Sequence, residues 1–405
     1  MEANLSPDIA RTPAGQEAER ILRSCVHCGF CTATCPTYRI MGDELDGPRG
    51  RIYLIKSLLE GKDVSTKTNT HLDRCLTCRA CETTCPSGVE YGKLLDIGRF
   101  YSEPYAERSL KHRILRSNIL KILPYRKRFA LLLKIGRLIR PLLPGSLKER
   151  IPLKSERDSL QFKSHKRKII LLEGCVQSAI APSINQSVIK VLDKFGISAI
   201  TIDEEQCCGA LSHHLNAHEQ SLQFMKKNID AIWPVIDSGA EAIISTASGC
   251  GVHIKEYGYL LREDSNYAKK AAKVSAMAFD IAEILNKERP EKLILSKSSD
   301  IVAFQSPCTL QHGQKLGGLV EDLLHQMKIE LVEVKDSNIC CGSAGVYSML
   351  QENISSQLRK DKLESLMENK PVKILTANIG CLEHLRQKSP IQVMHWAEYV
   401  AELID

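Results

Sequence analysis

Long apolar runs are missing from this sequence of 405 residues. Its uninterrupted apolar stretches, such as Phe129–Leu133, are far shorter than the roughly 18 residues of a membrane-spanning helix. The N-terminal segment MEANLSPDIARTPAGQEAER is polar and mixed in charge, without the apolar core of a secretory signal peptide and without a twin arginine. These absences argue against an integral membrane protein and predict a chain that stays in the cytoplasm.

Nucleotide-binding motifs are missing as well. No G-x-G-x-x-G run follows a predicted strand, and no G-x-x-x-x-G-K-[ST] run occurs in the sequence. The chain therefore has no recognisable site for a flavin, a nicotinamide or a nucleoside triphosphate. Because removal of a hydride from an organic substrate needs such an acceptor, we predict no catalytic residue in this chain and an electron-relay role instead.

Cysteine is the residue type that is abundant. The chain has 16 cysteines in an otherwise ordinary globular composition, 43% hydrophobic and 25% charged. Eight lie between Cys25 and Cys85, none from residue 86 to 174, and eight between Cys175 and Cys381. In a reducing cytoplasm, clustered cysteines bind metals more often than they form disulfides.

The first block of cysteines contains one motif twice. Residues 25–36 and residues 75–86 both fit C-x2-C-x2-C-x3-C-P, the spacing of a two-cluster bacterial ferredoxin. In that motif three thiolates hold three corners of a [4Fe–4S] cube, and the fourth cysteine, before proline, ligates the other cube. The motif thus predicts one cluster on Cys25, Cys28, Cys31 and Cys85 and another on Cys75, Cys78, Cys81 and Cys35. Zinc is a poor alternative, since zinc sites usually pair two C-x2-C motifs across a longer loop.

The second block contains an internal repeat. The cysteines of its first half recur in its second half at offsets of 133, 133, 133 and 131 residues: Cys175, Cys207, Cys208 and Cys250, then Cys308, Cys340, Cys341 and Cys381. Short β-rich runs precede them, at Ile169–Leu172, Ser198–Ile202, Ala242–Ser245, Ile301–Phe304, Ile329–Val334 and Val372–Thr376. Helical patterns such as Ser183–Phe195 lie between these runs. Each half is therefore predicted to be a parallel α/β module whose four thiols converge beyond the carboxyl ends of the strands.

The sequence is compatible with more than one cofactor in these two modules. An adjacent cysteine pair suits a polynuclear iron–sulfur centre better than a single ion, but a structural zinc or buried free thiols are alternatives. His253 and His384 each lie three residues after the last cysteine of a module. They are candidate additional ligands or hydrogen-bond partners of ligands. His312 has no counterpart in the first half, where Ala179 stands, and is predicted to be structural.

A basic segment separates the two blocks. From Glu107 to Lys168 the chain has 19 basic and 4 acidic residues, whereas the whole chain has a net charge of only +7. An amphipathic helix is predicted around Arg126–Arg140, with Leu131, Leu132, Ile135, Leu138 and Ile139 on one face and Arg126, Lys127, Lys134 and Arg137 on the other. Such a helix either lies on an anionic membrane surface or packs on its own protein. Nucleic-acid binding is disfavoured because no recognition fold accompanies the charge.

The fold class expected from these patterns is α+β overall. We predict a mainly α-helical two-cluster ferredoxin-type domain at residues 1–105, with helices at Gln16–Ser24 and Arg49–Leu59. A basic amphipathic linker follows at residues 106–165. Two repeated α/β Cys-Cys-Gly modules complete the chain at residues 166–295 and 296–405.

These motifs resemble those of bacterial glycolate oxidase (glycolate dehydrogenase) iron–sulfur subunits. The resemblance lies in residues 25–36, the segment LDGPRGRIY at 45–53, CLTCRACETTCPSG at 75–88 and both Cys-Cys-Gly repeats. It implies a complex in which FAD-containing subunits oxidise glycolate to glyoxylate. This chain would relay electrons from FAD toward a quinone or another membrane acceptor, on the inner face of the cytoplasmic membrane.

Related iron–sulfur subunits leave other assignments open. The same arrangement of motifs is shared with subunits of lactate or glycerol-3-phosphate dehydrogenases and with heterodisulfide reductase relatives. In the heterodisulfide reductase type each module ends in C-x-x-C, whereas here both end in Cys-x-x-His. This departure argues against disulfide chemistry and leaves the composition of the two module centres undetermined by the sequence.

Overall fold

The computed structural model of the protein describes residues 1–62, 66–148, 151–153, 163–296 and 299–404. The N-terminal domain is helical, as predicted. Its α-helices are Pro7–Ala10, Pro13–Ser24, Phe30–Ala33, Pro36–Met41, Pro48–Leu59, Thr66–Asp73, Ala80–Thr83 and Tyr91–Ser102, with 3-10 turns at Glu44–Asp46 and Glu103–Tyr105. The predicted helix at 16–24 begins earlier because Thr12 caps it, its hydroxyl accepting from the Gly15 N–H at 2.9 Å.

Three long helices of this domain enclose a small apolar core. Ile21, Ile55, Leu59, Leu94 and Leu95 are buried there, together with parts of the cysteine loops. The cysteine loops lie at the edge of this core, so helix packing fixes their positions.

The basic linker forms helices Leu110–Ile122, Arg126–Ile139 and Gly145–Lys148 and a 3-10 turn at Arg140–Leu142. The amphipathic helix predicted around 126–140 is confirmed. Residues 149–150 and 154–162 of the predicted linker lie outside the described residues. No helix of the described residues is both long and apolar enough to cross a bilayer.

The C-terminal half contains two parallel four-stranded sheets. The strands are β1 Arg167–Leu172, β2 Ile197–Ile200, β3 Ala242–Ser245, β4 Ala278–Asp280, β5 Ile301–Gln305, β6 Glu330–Leu331, β7 Lys373–Thr376 and β8 Gln392–His395. The sheet orders are β2-β1-β3-β4 and β6-β5-β7-β8, and every pairing is parallel. The identical order in both sheets confirms that the cysteine repeat is a repeat of structure.

The helices of the two modules pack on both sheets. In the first module they are Gln177–Ile180, Pro182–Lys194, Ala210–His214, His218–Asp237, Ser248–Lys255, Tyr257–Leu260, Ala268–Met277 and Ile281–Glu288, followed by a 3-10 turn at Pro290–Lys292. In the second they are a π-helix at Thr309–Gly313 and α-helices Leu319–Gln326, Tyr347–Leu350, Glu352–Met367, Ile379–Arg386 and Trp396–Leu403.

All six predicted strands are present, and the prediction missed β4 and β8. Each of these edge strands is short and ends in the residue that caps the next helix. Asp280 accepts the Ala282 N–H at 3.0 Å, and His395 Nδ1 accepts the Ala397 N–H at 3.2 Å. The run predicted at Ile329–Val334 pairs only over β6, so the edge of that sheet is shorter than its sequence suggests.

The two modules share one apolar core. Helix Pro182–Lys194 packs on helix Trp396–Leu403, and helix Ile281–Glu288 packs on helix Leu319–Gln326. Side chains from both sheets meet between these helices in a single buried cluster. The two modules are therefore packed together through a common core. The boundary between them at residue 295 stays a prediction from the sequence.

Candidate metal centres

Two clefts of the N-terminal domain are lined by the cysteines of the first block. One is lined by Cys25, Cys28, Cys31 and Cys85, and also by Cys81. The other is lined by Cys35, Cys75, Cys78 and Cys81. Each cleft thus contains three thiols of one motif together with the last cysteine of the other motif, Cys85 or Cys35, as the crossed ferredoxin rule predicts, and Cys81 lines both clefts.

The two cysteine loops have the same backbone conformation. Residues His27 and Gly29 in one loop, and Thr77 and Arg79 in the other, have φ between 55° and 85°. The left-handed turns direct amides toward sulfur, as the Thr77 N–H donates to Cys75 Sγ at 3.5 Å. Backbone strain of this kind persists where the surrounding structure fixes it, typically at functional sites.

Burial disfavours the thiolate form of these cysteines when no metal is bound. It raises the pKa of the Cys78 and Cys81 thiols well above the usual range and that of Cys31 to about 11. A bound cation offsets that cost and deprotonates the thiol. Eight sulfur donors in two pockets, with no carboxylate among the lining residues, match the soft ligands that iron–sulfur clusters use.

The two clefts differ in exposure. Cys28 is exposed at the rim of the first cleft, where Val26 and Phe30 are 66% and 63% exposed. Cys78 of the second cleft is buried against the second module. The first cleft therefore has an exposed cysteine at its rim, whereas all four cysteines of the second cleft are buried.

A buried ion cluster lies behind the second cleft, and sequence reasoning missed it. Asp46 and Arg51 are fully buried, and the Arg51 guanidinium donates to the His71 carbonyl at 2.7 Å. The Asp46 carbonyl accepts from the Thr37 hydroxyl at 2.7 Å and lies 3.7 Å from Cys35 Sγ. Both charged residues belong to the segment LDGPRGRIY at 45–53, one of the segments that carry the family resemblance. That resemblance was the only sequence signal for this ion cluster.

The four thiols of each module converge, as predicted. In the first module Cys207 lies close to Cys175 and Cys208, and Cys208 lies close to Cys250. In the second module the same chain links the four counterparts, Cys308, Cys340, Cys341 and Cys381. Cys308 Sγ and Cys340 Sγ are 3.7 Å apart.

A repeated contact holds each Cys-Cys-Gly turn. The Ser221 hydroxyl donates to the Gly209 carbonyl at 3.0 Å, and the Ser355 hydroxyl donates to the Gly342 carbonyl at 2.8 Å. Both glycines have left-handed φ, and each N–H donates to the first sulfur of its pair, at 3.5 and 3.4 Å. A serine on the following long helix thus fixes the turn that presents both cysteines.

The two candidate histidine ligands join this contact. His253 Nε2 lies 3.4 Å from the Ser221 hydroxyl, and His384 Nε2 lies 3.2 Å from the Ser355 hydroxyl. Burial lowers the pKa of His253 to about 3 and that of His384 to about 4, so both rings are neutral. Because Nε2 is engaged, only Nδ1 remains as a candidate ligand atom on each ring.

Comparisons with known proteins agree with this arrangement. Residues 21–89 match the 4Fe-4S dicluster domain, and residues 169–255 and 302–386 each match the cysteine-rich CCG domain. The glycolate oxidase iron-sulfur subunit of Escherichia coli (strain K12) is 48% identical over 409 residues, which covers 100% of both chains. This chain belongs to the family of glycolate oxidase iron–sulfur subunits.

More distant relatives of this glycolate oxidase subunit family also match. A protein of Bacillus subtilis (strain 168) named "Probable glycolate oxidase iron-sulfur subunit" is 28% identical and covers 90% of this chain and 88% of its own. Lactate utilization protein A of Geobacillus thermodenitrificans is 25% identical over 57% of this chain and 97% of its own. A crystal structure of a hypothetical protein from Helicobacter pylori covers 96% of this chain and 72% of its own, at 10% identity and a TM-score of 0.52, and so shares its fold.

Membership of the glycolate oxidase iron–sulfur subunit family establishes the chemical class of this protein. It is an iron–sulfur protein and a subunit of an oxidoreductase, with one ferredoxin-type dicluster domain and two CCG domains.

Proposed function

We propose that this chain is the electron-relay subunit of a glycolate oxidase complex. It takes electrons from FAD on partner subunits that oxidise glycolate to glyoxylate, and passes them toward a quinone or another membrane acceptor. The crossed grouping of eight thiols in two adjacent clefts is the observation that carries this proposal. The absence of nucleotide-binding motifs from the sequence supports placing the flavin on a partner.

We assign the ligands of the relay by the sulfur sets described above. Cys25, Cys28, Cys31 and Cys85 would hold one [4Fe–4S] cluster, and Cys35, Cys75, Cys78 and Cys81 the other. The two module sets, Cys175, Cys207, Cys208 and Cys250, and Cys308, Cys340, Cys341 and Cys381, would hold further iron–sulfur centres. Such clusters supply one-electron transfer when bound.

The chain's own residues contribute position, burial and charge. The left-handed loop residues aim amide donors at the sulfurs, and N–H···S bonds stabilise the thiolate form. The Arg51 guanidinium lies near Cys35 and Cys75, where it offsets negative charge on their sulfurs. The open rim at Cys28 gives a partner access to the first cleft.

The proposal is tested by purifying the protein anaerobically with its co-purifying partners and measuring iron, zinc and flavin together. We expect flavin on the partners, at least about eight irons on this chain, and bleaching of its broad visible absorbance on addition of glycolate. The isolated chain should not bleach with glycolate. A preparation that contains only zinc, or an isolated chain that glycolate reduces, would contradict the proposal.

We further propose that the basic linker binds an anionic membrane surface. Residues 108–148 contain 12 lysines or arginines and no acidic residue. The apolar face of helix Arg126–Ile139 is turned outward: Leu131 is 60% exposed and Leu138 80%, and Leu142 beyond it is 86% exposed. A basic amphipathic helix with an uncovered apolar face suits the headgroup region of anionic lipids.

Replacing Leu138 and Leu142 together with aspartate is expected to weaken binding to anionic vesicles at least about tenfold, since two buried leucines contribute several kcal/mol. Cosedimentation with phosphatidylglycerol-containing and pure phosphatidylcholine vesicles measures this. Ile294→Asp is the matched control, because Ile294 is also 80% exposed but lies outside the linker. Equal binding of all three proteins, or no preference for anionic lipid, would refute the proposal.

A further inference from the structure

The two modules are copies in structure, but the N-terminal domain contacts them differently. Its contact with the first module is ionic and polar. Arg79 pairs with Glu256, Asp96 Oδ2 lies 3.2 Å from His213 Nε2, and Asn216 donates to the Arg99 carbonyl at 3.0 Å. None of these contacts involves a cysteine of the first module.

The contact with the second module has an apolar centre that contains cysteines from both sides. Cys78 of the second cleft packs in one buried cluster with Cys308 and Cys340, and with Leu76, Ala80, Tyr347, Ile354 and Leu358. Cys308 and Cys340 are 9% and 2% exposed, so the contact is closed to solvent. Thiols of the ferredoxin-type domain and of the second module therefore meet inside the protein.

His312 holds this contact in register. Its Nδ1 lies 2.8 Å from the hydroxyl of Thr83, the last residue of helix Ala80–Thr83, between Cys81 and Cys85. Its Nε2 lies 3.1 Å from the Asn338 carbonyl, two residues before Cys340. The imidazole thus bridges the two cysteine-bearing loops, and the first module has Ala179 at the equivalent position.

A hydrogen bond and an ion pair also join the N-terminal domain to the second module. The Tyr347 hydroxyl donates to the Arg74 carbonyl at 2.9 Å, next to Cys75. Arg39 pairs with Asp336 at 3.2 Å at the exposed edge. The N-terminal domain therefore also contacts the second module through Arg74 and Arg39.

We propose that the two Cys-Cys-Gly modules have different roles: electrons leave the ferredoxin-type domain through the Cys78–Cys308–Cys340 contact into the second module, and His312 is the positioning residue of that contact. The inference rests on the proposed relay function. Cys35, Cys75, Cys78 and Cys81 would hold a centre that supplies one electron at a time and would be oxidised as the centre held by the second module is reduced. No bond is formed or broken, and the reductant is the partner's reduced flavin or, in the test, dithionite.

The test uses the full chain, loaded with iron and sulfide and reduced with dithionite. Electron paramagnetic resonance then measures magnetic broadening of the ferredoxin-type signals by a neighbouring reduced centre. Cys341→Ala, which removes a ligand in the second module, should remove the part of the broadening that this module's centre causes and leave the part that the two ferredoxin-type clusters cause in each other. Cys208→Ala, the same substitution at the repeat-related position of the first module, should leave it unchanged.

His312→Phe tests the bridge without touching a proposed ligand. We expect unchanged iron content and midpoint potentials, but weaker broadening and at least a tenfold slower reduction of the second module in freeze-quench experiments. His312→Asn, which keeps a polar atom near Thr83, should restore much of the rate. Glu256→Gln is the matched control, because it weakens the contact with the first module and should not change the rate.

Three results would overturn the inference: broadening lost in Cys208→Ala but kept in Cys341→Ala, broadening equally affected by both, or a wild-type rate in His312→Phe. A chain with iron in both regions whose broadening equals that of Cys341→Ala would also overturn it. A chain with no reducible iron centre at all would instead refute the proposed relay function, so the two failures are distinguishable.

Discussion

Replacing Cys85 with alanine is expected to remove about four irons from the protein and to eliminate the signal of the cluster held by the distant loop at residues 25–31. Cys85 lies in the second motif, but its side chain lines the cleft of Cys25, Cys28 and Cys31. Loss of one of four thiolates leaves a corner of the cube without a protein ligand. The second cleft, which lacks Cys85 among its lining residues, should keep its cluster.

Two other variants serve as references for this result. Cys28→Ala removes a ligand that only the first cleft has, and Cys78→Ala removes one that only the second cleft has. The paramagnetic resonance spectrum of Cys85→Ala should match that of Cys28→Ala. Cys35→Ala should in turn match Cys78→Ala. If Cys85→Ala matched Cys78→Ala instead, ligation would follow the order of the motifs and the crossed assignment would be wrong.

The sequence predicted which cysteines lie close together, because short-range spacing determines their geometry. Three thiols separated by two residues each lie on one short loop and can therefore bind the same cluster. Each module cysteine follows a strand, and the sheet fixes the position of that strand's carboxyl end. The structure accordingly brings together Cys175 with Cys207 and Cys308 with Cys340, across more than 30 residues of chain.

Contacts between domains could not be predicted in the same way. His312 was expected to be structural, and only the docked domains show that it faces Thr83. In the sequence Arg51 cannot be distinguished from an exposed charged residue of a helix. Only the structure shows that it is buried and paired with Asp46. The hydrophobic periodicity of helix Arg126–Ile139 is the same whether its apolar face packs on the protein or faces outward. In the structure most of this face is exposed, so it does not pack on the described part of the chain.

Replacing Gly342 with alanine is expected to destabilise the second module by about 3 kcal/mol or more. Gly342 has φ +89°, and an alanine Cβ there would lie 2.6 Å from the Ser355 carbonyl oxygen and 2.9 Å from Leu358 Cβ. The obstacle is the backbone of helix Glu352–Met367, which cannot move without breaking the Ser355 contact that holds the Cys340–Cys341 turn. Hydrogen exchange of that helix measures the local stability, and iron analysis measures retention of the module's centre.

Gly345→Ala separates the two physical causes. Gly345 also has a left-handed φ, +62°, but an added Cβ meets nothing within 4 Å. Its substitution should cost only the conformational term, about 1 kcal/mol, and leave the iron content unchanged. If both variants lost equal protection from exchange, the cost at Gly342 would be conformational alone. Close packing of the helix on the Cys-Cys-Gly turn would then not be what requires glycine after the cysteine pair.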